Sequence, residues 1–516
     1  MFEEVKLDQA TRVLDSRRLG FSRIRLLPKG KTMRPITNLR RRTVAKGKGT
    51  ILGPSINSVL GPVHSMLRLE TERNPSKLGS SMFSVGNLYP RLHAFSASFG
   101  KQHPKFYFAK VDVQSAFDTI PQTAVIRLME DIPSEKQYII KKHVEVKAAL
   151  LDSQPQKHAV TKLMRRWHSI AVTRNDTTDF AQLVESRLGK SRKNTVFVGN
   201  AMRREVGIRE LMDLMTSHIK QNLVKVGKKF YRQKRGIPQG SVLSSALCNY
   251  FYADLEAQRL SFLAAEDCLL LRLIDDFLLI TTDPSKAREF VEVMHGGLPE
   301  YGVTVNPKKT LVNFGMAVDG MSVARMPEGS RFPYCGLGID CNTLDIVKDR
   351  EHIKDAVVSN ALTIDYGNKP GQNFQRRVLN AFKIQSHLMF YDTKHNAMGT
   401  VMSNLHKAFA ETAEKMWAYW RCLPAGGRPV DRLIMQTVTK VIDVAFVLLT
   451  SQARREKYPE YVCDIEKTHV AWLALDAVRK VLARKQANFA GVLSWIDTEL
   501  GKLDSKQVAR ATKHIR

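Results

Sequence analysis

The chain has 516 residues, of which 43% are hydrophobic, and its 80 lysines and arginines against 50 aspartates and glutamates give a formal net charge of +30. Such a length exceeds one compact core, so about two to four domains are expected, and the ordinary apolar fraction excludes a disordered basic tail. The excess positive charge favours nucleic acid as a partner, although a basic solvated surface would give the same balance. The cysteines include no C-x-x-C pair and the longest late apolar run, residues 441–449, contains Asp443, which argues against a zinc site and a membrane span.

The first predicted elements are two strands in residues 21–38, FSRIRLLPKGKTMRPITN, joined by a tight turn at Gly30 and Lys31. Lys29 and Arg34 lie on either side of that turn. A basic hairpin of this kind can fold over a triphosphate and neutralise it. A solvated surface ribbon is the competing interpretation.

The next strand is predicted in residues 106–118, FYFAKVDVQSAFD, where Asp112 sits in an apolar, β-prone run. Phe117 is five residues further on, close enough to line the same pocket. A bulky ring there would clash with a ribose 2′-hydroxyl and would select deoxyribose. An ordinary core phenylalanine explains the same residue equally well.

Residues 125–229 are predicted to be mostly helical and basic, with segments such as YIIKKHVEVKAALL and VTKLMRRWHS. We interpret them as an insertion between strands, whose basic faces track a nucleic-acid backbone. A plain solvated helix face is the alternative for each charged position.

A loop and a helix follow in residues 230–256, FYRQKRGIPQGSVLSSALCNYFYADLE. Gly236 and Pro238 make a rigid loop, and Gly240 allows a close approach of the backbone to a ligand. Gln239 then points from the loop towards whatever lies beside the start of the helix. An ordinary loop-to-helix turn is the alternative, but it leaves the crowding of these residues unexplained.

The chain is organised around residues 269–282, LLLRLIDDFLLITT, in which two apolar runs flank Asp275 and Asp276. The pattern predicts a β-hairpin with the acids at its tip, although a solvent-facing turn is the simpler interpretation. A charged pair between two buried strands is costly unless something neutralises it. Together with Asp112 on a neighbouring strand, the pair can hold two divalent cations about 3.5–4 Å apart, which activate the attacking and leaving oxygens of a phosphoryl displacement. That chemistry is typical of polymerases.

Two shorter segments follow the hairpin. Residues 301–314, YGVTVNPKKTLVNF, carry Lys308 and Lys309, which are either surface charges or, in one case, a proton donor. In the segment FPYCGLGID, Gly336 and Gly338 predict a close-packed turn against a substrate backbone.

The last third of the chain is predicted to be a helical bundle, because its apolar residues recur near the 3.6-residue spacing of helices from residue 341 onwards. Residues 367–377, GNKPGQNFQRR, precede the long helix of this bundle and are predicted to be loop-like and basic.

Taken in order, these segments resemble the motifs of the telomerase reverse transcriptase family. RLLPKGKTMRPITN looks like the paired fingers motifs and KVDVQSAFDTIPQ like the first palm motif, and RGIPQGSVLSSALC, LLLRLIDDFLLIT, VNPKKTLVNF and PYCGLGID follow in the family's order. The similarity is strong over residues 20–345 and weaker in the helical region. Leu273 and Ile274 before the acidic pair are telomerase-like, whereas retroviral reverse transcriptases usually carry an aromatic residue two before it.

The fold that this resemblance implies is a right-hand polymerase of the mixed α/β (α+β) class. Its fingers are expected in residues 1–104, its palm with an antiparallel sheet in 105–340, including the insertion at 125–229, and an all-helical thumb in 341–516. Members usually carry a DNA-binding and an RNA-binding domain ahead of the fingers. Neither is recognised here, so the sequence is expected to be either a fragment or a reduced protein whose RNA is held by other means.

The resemblance also implies a role for each matching residue. The metal ligands are Asp112, Asp275 and Asp276, and Lys309 matches the lysine that protonates departing pyrophosphate. Nucleotide-binding positions are Lys29, Arg34, Phe117, Gln239 and Gly240, with Phe117 in place of the tyrosine usual in many relatives. The primer grip is Tyr334, Cys335 and Gly336. The thumb residues expected to contact the backbone of a duplex are Lys369, Asn373, Arg376 and Arg377.

The implied activity is RNA-directed DNA synthesis with two Mg²⁺ ions, which adds telomeric repeats to chromosome 3′ ends. The implied partners are a template RNA, a single-stranded telomeric DNA primer, the RNA–DNA hybrid, deoxynucleoside triphosphates and accessory telomerase proteins, at telomeres in the nucleus and without a membrane. The alternatives are the reverse transcriptase of a mobile element and a non-catalytic nucleic-acid scaffold. No endonuclease, integrase or RNase H region is recognised, which argues against the first, and all three carboxylates are present, which argues against the second.

Overall fold

The computed structural model describes residues 1–29, 32–42, 52–100, 104–147, 163–189, 192, 194–350, 362, 364, 370–484 and 488–503. The strands in these ranges are β1 (Phe2–Val5), β2 (Ser22–Lys29), β3 (Thr32–Thr37), β4 (Tyr107–Asp112), β5 (Gln137–Lys147), β6 (Met164–Val172), β7 (Thr195–Gly207), β8 (Leu223–Val226), β9 (Lys229–Gln233), β10 (Cys268–Leu273), β11 (Asp276–Thr281), β12 (Leu311–Val312), β13 (Ala317–Val318), β14 (Met321–Ser322), β15 (Ala324–Arg325), β16 (Phe332–Tyr334), β17 (Leu337–Ile339) and β18 (Ile346–Lys348).

The α-helices in the same ranges are α1 (Leu7–Asp15), α2 (Ile56–Val59), α3 (Gly61–Arg73), α4 (Leu88–Ser98), α5 (Ala116–Thr119), α6 (Gln122–Glu130), α7 (Phe180–Leu183), α8 (Ile208–Lys220), α9 (Ser244–Arg259), α10 (Pro284–His295), α11 (Pro370–Gln385), α12 (Met398–Cys422), α13 (Asp431–Leu449), α14 (Gln452–Lys457), α15 (Lys467–Ala483) and α16 (Ala490–Gly501).

The palm sheet has the strand order β10-β11-β4-β12-β15 and carries the acidic hairpin. β10 and β11 pair antiparallel with Leu273 opposite Asp276, so their turn consists of Ile274 and Asp275. The predicted hairpin with the acids at its tip is therefore confirmed. β11 also pairs antiparallel with β4, which sets the end of β4 beside the start of β11.

Both faces of the palm sheet are buried, because successive side chains of a strand point to opposite faces. On β11, Leu278 and Ile280 join a core that continues into the thumb helices. Phe277 and Leu279 face the other way, into a second core formed with helices such as α3, α9 and α10. This double covering explains why the strands read as continuous apolar runs.

The fingers hairpin forms as predicted, since β2 and β3 pair antiparallel from Ile24 opposite Thr37 to Lys29 opposite Thr32. Gly30 and Lys31 of the turn lie outside the described residues. The sheet continues as β1-β9-β8-β2-β3, so two strands from residues 223–233 join the sheet that contains the fingers hairpin.

The insertion is not mostly helical, and that prediction is wrong. β5, β6 and β7 form an antiparallel sheet with β5 in the centre, flanked by α6 and α8. The segment QYIIKKHVEVK has an apolar pattern that fits either a helix or a strand, but its isoleucines and valines are β-branched and pack well on a pleated surface. Cross-strand partners far along the chain, which local periodicity does not report, decide in favour of the strand.

The thumb is a bundle of α11 to α16 that packs against the palm through the small sheet β16-β17-β18. Phe382 of α11 and Phe409 of α12 stack with ring centroids 5.0 Å apart. One described segment, Asp431–Lys457, is long and apolar enough to cross a membrane by length and composition. Core helices pass the same test, and Ile434 and Val438 of this segment are buried in the bundle. The predicted α/β right-hand architecture with a helical thumb is confirmed.

Candidate active site

Three carboxylates meet where the palm strands end. Asp112 is the last residue of β4 and Asp276 the first of β11, and the two are directly opposite each other in the antiparallel register. Asp275 lies in the adjoining turn, and its carbonyl accepts a 3.1 Å hydrogen bond from the backbone N–H of Val113. The register therefore pairs two carboxylates, Asp112 and Asp276, that are 164 positions apart along the chain.

Burial and mutual repulsion make the three carboxylates a site that favours positive charge. Burial, followed by the hydrogen bond and charge of Asp112, raises the pKa of Asp276 to about 6. Burial also raises the pKa of Asp275, with repulsion from Asp112 adding to it, while the charges of Lys309 and Arg34 lower it. Carboxyls placed in this way gain stability from a bound cation, because it removes the repulsion between them.

Lys309 reaches the carboxylates. It ends a 3₁₀ turn, Pro307–Lys309, and its ammonium lies 2.7 Å from Oδ2 of Asp112. The preceding Asn306 donates its backbone N–H to the carbonyl of Asp112 at 3.1 Å, which fixes the start of the turn. Lys308 and Lys309 are both exposed, and Lys309 is the one whose ammonium contacts a carboxylate of the site.

The turn that holds the acids has a strained backbone. Ile274 has φ = 62°, a left-handed conformation that is unfavourable for a β-branched residue. Such outliers persist only where the surroundings hold them. Tyr334 supports the hairpin from one side, since its hydroxyl donates a 2.9 Å hydrogen bond to the carbonyl of Asp276. Cys335 and Gly336, both with positive φ, form the turn between β16 and β17, so the three expected primer-grip residues lie beside the carboxylates.

The loop before α9 joins the palm to the fingers. Gln239 donates from Nε2 to Oδ1 of Asp118 at 2.9 Å, and its carbonyl accepts hydrogen bonds from the backbone N–H (3.0 Å) and hydroxyl of Thr37. Gly240 has φ = 105°, and a Cβ there would lie 2.4 Å from the carbonyl oxygen of Thr37. Gly240 was expected to admit a ligand, but the close neighbour in the structure is the fingers strand β3.

Phe117 lies at the start of the short helix α5 and is half-buried against the palm core. Its carbonyl accepts the N–H of Ile237 at 2.7 Å. A Cβ at Gly236 would approach that same carbonyl to 2.2 Å, so only glycine permits this contact. The loop thus fixes the backbone of Phe117.

The two basic residues of the fingers hairpin are only partly described. Arg34 is exposed on β3 and close enough to act on the charge of Asp275. The side chain of Lys29 lies outside the described residues, although its backbone pairs with Thr32.

The prediction that the thumb segment 367–377 is loop-like is wrong for its second part. The segment 367–377 is not a loop throughout, because α11 begins at Pro370, and proline suits the first turn of a helix. The helix buries Phe374, Val378 and Phe382, which are one helical turn apart and lie on the same face. Asn373 is 7% exposed and accepts a 2.8 Å hydrogen bond from Arg376, so most of its surface is covered by the thumb itself. Arg376 is exposed and Arg377 half-buried, and Lys369 lies outside the described residues.

Sequence reasoning missed several residues of the site. Thr37 and Asn306 carry no local signal, since their importance comes from backbone contacts across the fold. Asp118, which accepts the hydrogen bond from Gln239, directly follows Phe117, a residue that was selected from the sequence. Arg272 was detectable, because it is a lone charge in the apolar run LLLRLI.

The donor set fits a hard divalent cation. Asp112, Asp275 and Asp276 supply only carboxylate oxygens, which are the ligands that Mg²⁺ prefers. Among the described residues, no three carboxyl, imidazole or thiol groups already enclose a metal position. Lys309 instead supplies positive charge to Asp112.

Comparisons with known proteins agree with this geometry. Residues 202–337 match the family "Reverse transcriptase (RNA-dependent DNA polymerase)". The chain is 31% identical to telomerase reverse transcriptase of Canis lupus familiaris over 95% of this chain and 44% of the relative. It is 29% identical to that of Bos taurus over 93% of this chain and 43% of the relative. The chain thus spans less than half the length of these relatives.

A solved structure has the same fold. It is that of telomerase from Candida albicans in complex with the TWJ fragment of telomeric RNA. The two superpose with a TM-score of 0.61 at 16% identity, over 96% of this chain and 68% of that one.

Proposed function

We propose that this chain, which belongs to the telomerase reverse transcriptase family, is the polymerase that extends chromosome 3′ ends by copying an RNA template. The observation that carries the proposal is the register of β4 and β11, which pairs Asp112 with Asp276 beside Asp275. Three carboxylates from two strands and one turn are what two-metal nucleotidyl transfer requires.

A divalent metal is the cofactor that the reverse transcriptase family implies, and we infer two Mg²⁺ ions. Asp112, Asp275 and Asp276 would hold them. When bound, the ions supply electrostatic stabilisation of the attacking and leaving oxygens. Metal binding requires the deprotonated carboxylates. Because the pKa values of Asp275 and Asp276 are raised, protons compete with the metal for these two groups.

The remaining chemistry belongs to side chains of the chain itself. Lys309 is the proposed proton donor to the departing pyrophosphate, supported by its 2.7 Å contact with Asp112 at the site. Arg34 and Lys29 neutralise the triphosphate of the incoming nucleotide. Phe117 excludes a ribose 2′-hydroxyl by its bulk, which is supported by its half-buried position and by the hydrogen bond from Ile237 of the Gln239 loop to its carbonyl.

The nucleic acid is held on two sides of the site. Tyr334, Cys335 and Gly336 position the primer 3′ end, supported by the hydrogen bond from Tyr334 to Asp276. On the thumb, Arg376 and Arg377 of α11 contact the backbone of the hybrid, and such contacts carry no sequence information. The net charge of +30 suits a partner of this kind.

The proposed partners are a telomerase RNA as template, telomeric DNA as primer, deoxynucleoside triphosphates and accessory proteins, and the proposed location is the nucleus, at telomeres. The proposed domains are fingers in 1–104 completed by strands from 223–233, a palm in 105–340 with the insertion at 125–229, and a thumb in 341–516.

Primer extension tests this proposal. The purified chain is given a short RNA template, a DNA primer with a free 3′ end, one deoxynucleotide at a time and Mg²⁺. Addition only of the nucleotide complementary to the template, lost after ribonuclease digestion of the template, is the expected result. Binding without extension would favour the scaffold alternative, and extension only from nicks in duplex DNA would favour the mobile-element alternative.

A further inference from the structure

Arg272 is a fully buried charge beside the catalytic turn, with 0% of its side chain exposed. Its Nε donates to Oε1 of Glu256 at 2.5 Å, and its Nη2 donates to Oγ of Ser81 at 2.6 Å and to the carbonyl of Asn249 at 3.1 Å. Its Nη1 donates at 3.4 Å to Oδ1 of Asn249 and to the carbonyl of Ile274. The guanidinium thus finds acceptors for all its N–H groups, as burial of such a charge demands.

The carboxylate of Glu256 is equally well paired. It accepts hydrogen bonds of 2.7 Å from both the backbone N–H and the hydroxyl of Ser80. A second guanidinium, that of Arg91, donates to the carbonyls of Ser80 and Ser81 at 2.6 and 2.7 Å. The Arg272 network therefore fastens β10 to α9 and to the segment 80–82 that runs alongside it.

That segment also pairs with the backbone of β10. Met82 donates its N–H to the carbonyl of Arg272 at 2.7 Å, and Arg272 donates its own N–H to the carbonyl of Ser80 at 3.1 Å. Because β10 is the outermost strand of the palm sheet, this contact closes its free edge.

Stability alone does not account for an arginine at this position. The neighbours of Arg272 on β10 are leucines, and replacing a buried ion pair with apolar side chains is often neutral or stabilising. The guanidinium also fixes the orientation of the groups it binds, since its planar fork holds several acceptors in a fixed geometry. One of these acceptors is the carbonyl of Ile274, the residue with the strained backbone that precedes Asp275.

We propose that Arg272 is a positioning residue, which holds the Ile274–Asp275 turn so that the two adjacent carboxylates keep the geometry that binds metal. The inference rests on the proposed function for its consequence in catalysis. Arg272 is shielded from solvent and contacts the carbonyl of Ile274, so its effect is transmitted through the turn. Residues that orient metal ligands in this way typically change metal affinity or activity by about 10–100-fold when replaced.

The test replaces both charges of the pair, because Arg272→Met alone would leave Glu256 buried without a partner. The double variant Arg272→Met/Glu256→Gln removes the charge and keeps side-chain length, and Arg272→Lys keeps the charge but loses the fork. Thermal unfolding establishes that each variant is folded. Ile496→Val in α16 serves as the control, because it weakens a buried core contact far from the palm.

Two measurements are made on each folded variant: Mn²⁺ binding to the substrate-free protein by electron paramagnetic resonance, and the Mg²⁺ concentration for half-maximal primer extension. We expect both metal affinities to fall about tenfold or more in the double variant, less in Arg272→Lys, and not in Ile496→Val. The affinity for RNA–DNA hybrid should stay within about twofold of wild type, because phosphate contacts dominate it.

Wild-type Mn²⁺ binding in a folded double variant, or in Arg272→Lys if only that variant folds, would overturn the positioning role. Loss of affinity to the same extent in Ile496→Val would overturn it as well, because general destabilisation would then explain the effect. Failure of the wild-type chain to extend a primer would instead count against the proposed function, and Mn²⁺ binding would still report on the carboxylates.

Discussion

Gly240→Ala should detach the fingers hairpin from the loop that carries Gln239. The new Cβ would lie 2.4 Å from the carbonyl oxygen of Thr37, so β3 would have to retreat by about 1 Å to reach the 3.4 Å of an ordinary contact. The backbone of Gly240, at φ = 105°, would add strain of about 1–3 kcal/mol for an alanine.

The retreat of β3 breaks the two hydrogen bonds from Thr37 to the carbonyl of Gln239. At about 1 kcal/mol each, their loss amounts to about 2 kcal/mol. If the hairpin closes over the triphosphate only when docked, the KM for deoxynucleotide should rise about 30-fold, because about 1.4 kcal/mol corresponds to a factor of ten. The rate at saturating nucleotide should change much less, since the carboxylates are untouched.

Single-nucleotide primer extension measures both parameters, and Gly227→Ala provides the matched control. Gly227 also has positive φ, at 59°, but nothing lies within 4 Å of the position of its Cβ. It therefore reports the backbone strain without the collision. A KM in Gly240→Ala equal to that of Gly227→Ala would refute the proposal that docking of β3 on this loop closes the nucleotide pocket.

Three further predictions concern side chains of the site. Phe117→Ala should admit ribonucleotides opposite the same template base, and an unchanged preference for deoxynucleotides in competition assays would place the selectivity elsewhere. Lys309→Met should slow single-turnover chemistry by about 10²-fold or more with hybrid affinity retained; a rate within about threefold of wild type would exclude it as the proton donor. Neutralising Arg376 and Arg377 to glutamine should weaken binding of every hybrid sequence alike and lower the slope of log K against log salt by about two units. The wild-type slope in a titration of labelled hybrid would show that these arginines do not touch the duplex.

The palm could be predicted from the sequence because its signals are local. The acidic pair between two apolar runs specifies a hairpin without information on the neighbouring strands. The structure has that hairpin, with Asp276 opposite Asp112. The fingers hairpin and the helical thumb follow for the same reason. These elements depend on turn chemistry and on apolar periods, which a single sequence displays.

The remaining elements depend on contacts between distant parts of the chain. β5 was predicted as helix because its sheet partners begin at residues 164 and 195. Gly240 was assigned to a ligand, whereas its neighbour is Thr37, more than two hundred positions earlier. Asn373 was predicted to lie on a loop, but a helix begins at Pro370 and Asn373 is on its buried face. In each case the residue type indicated an unusual position, but the sequence did not show which distant part of the chain it would contact.

The central claim is that Asp112, Asp275 and Asp276 act together as the metal-binding centre of a polymerase. The most direct test measures single-turnover primer extension and hybrid affinity for Asp112→Asn, Asp275→Asn and Asp276→Asn, with Asp283→Asn, which lies after β11 at the start of α10, as the control. Each of the three should lose extension by several orders of magnitude, because removal of a charged ligand takes several kcal/mol from the stabilisation of the transition state. All should bind hybrid within about threefold of wild type, since backbone phosphate contacts dominate affinity. Extension within about tenfold of wild type by any of the three would contradict the account.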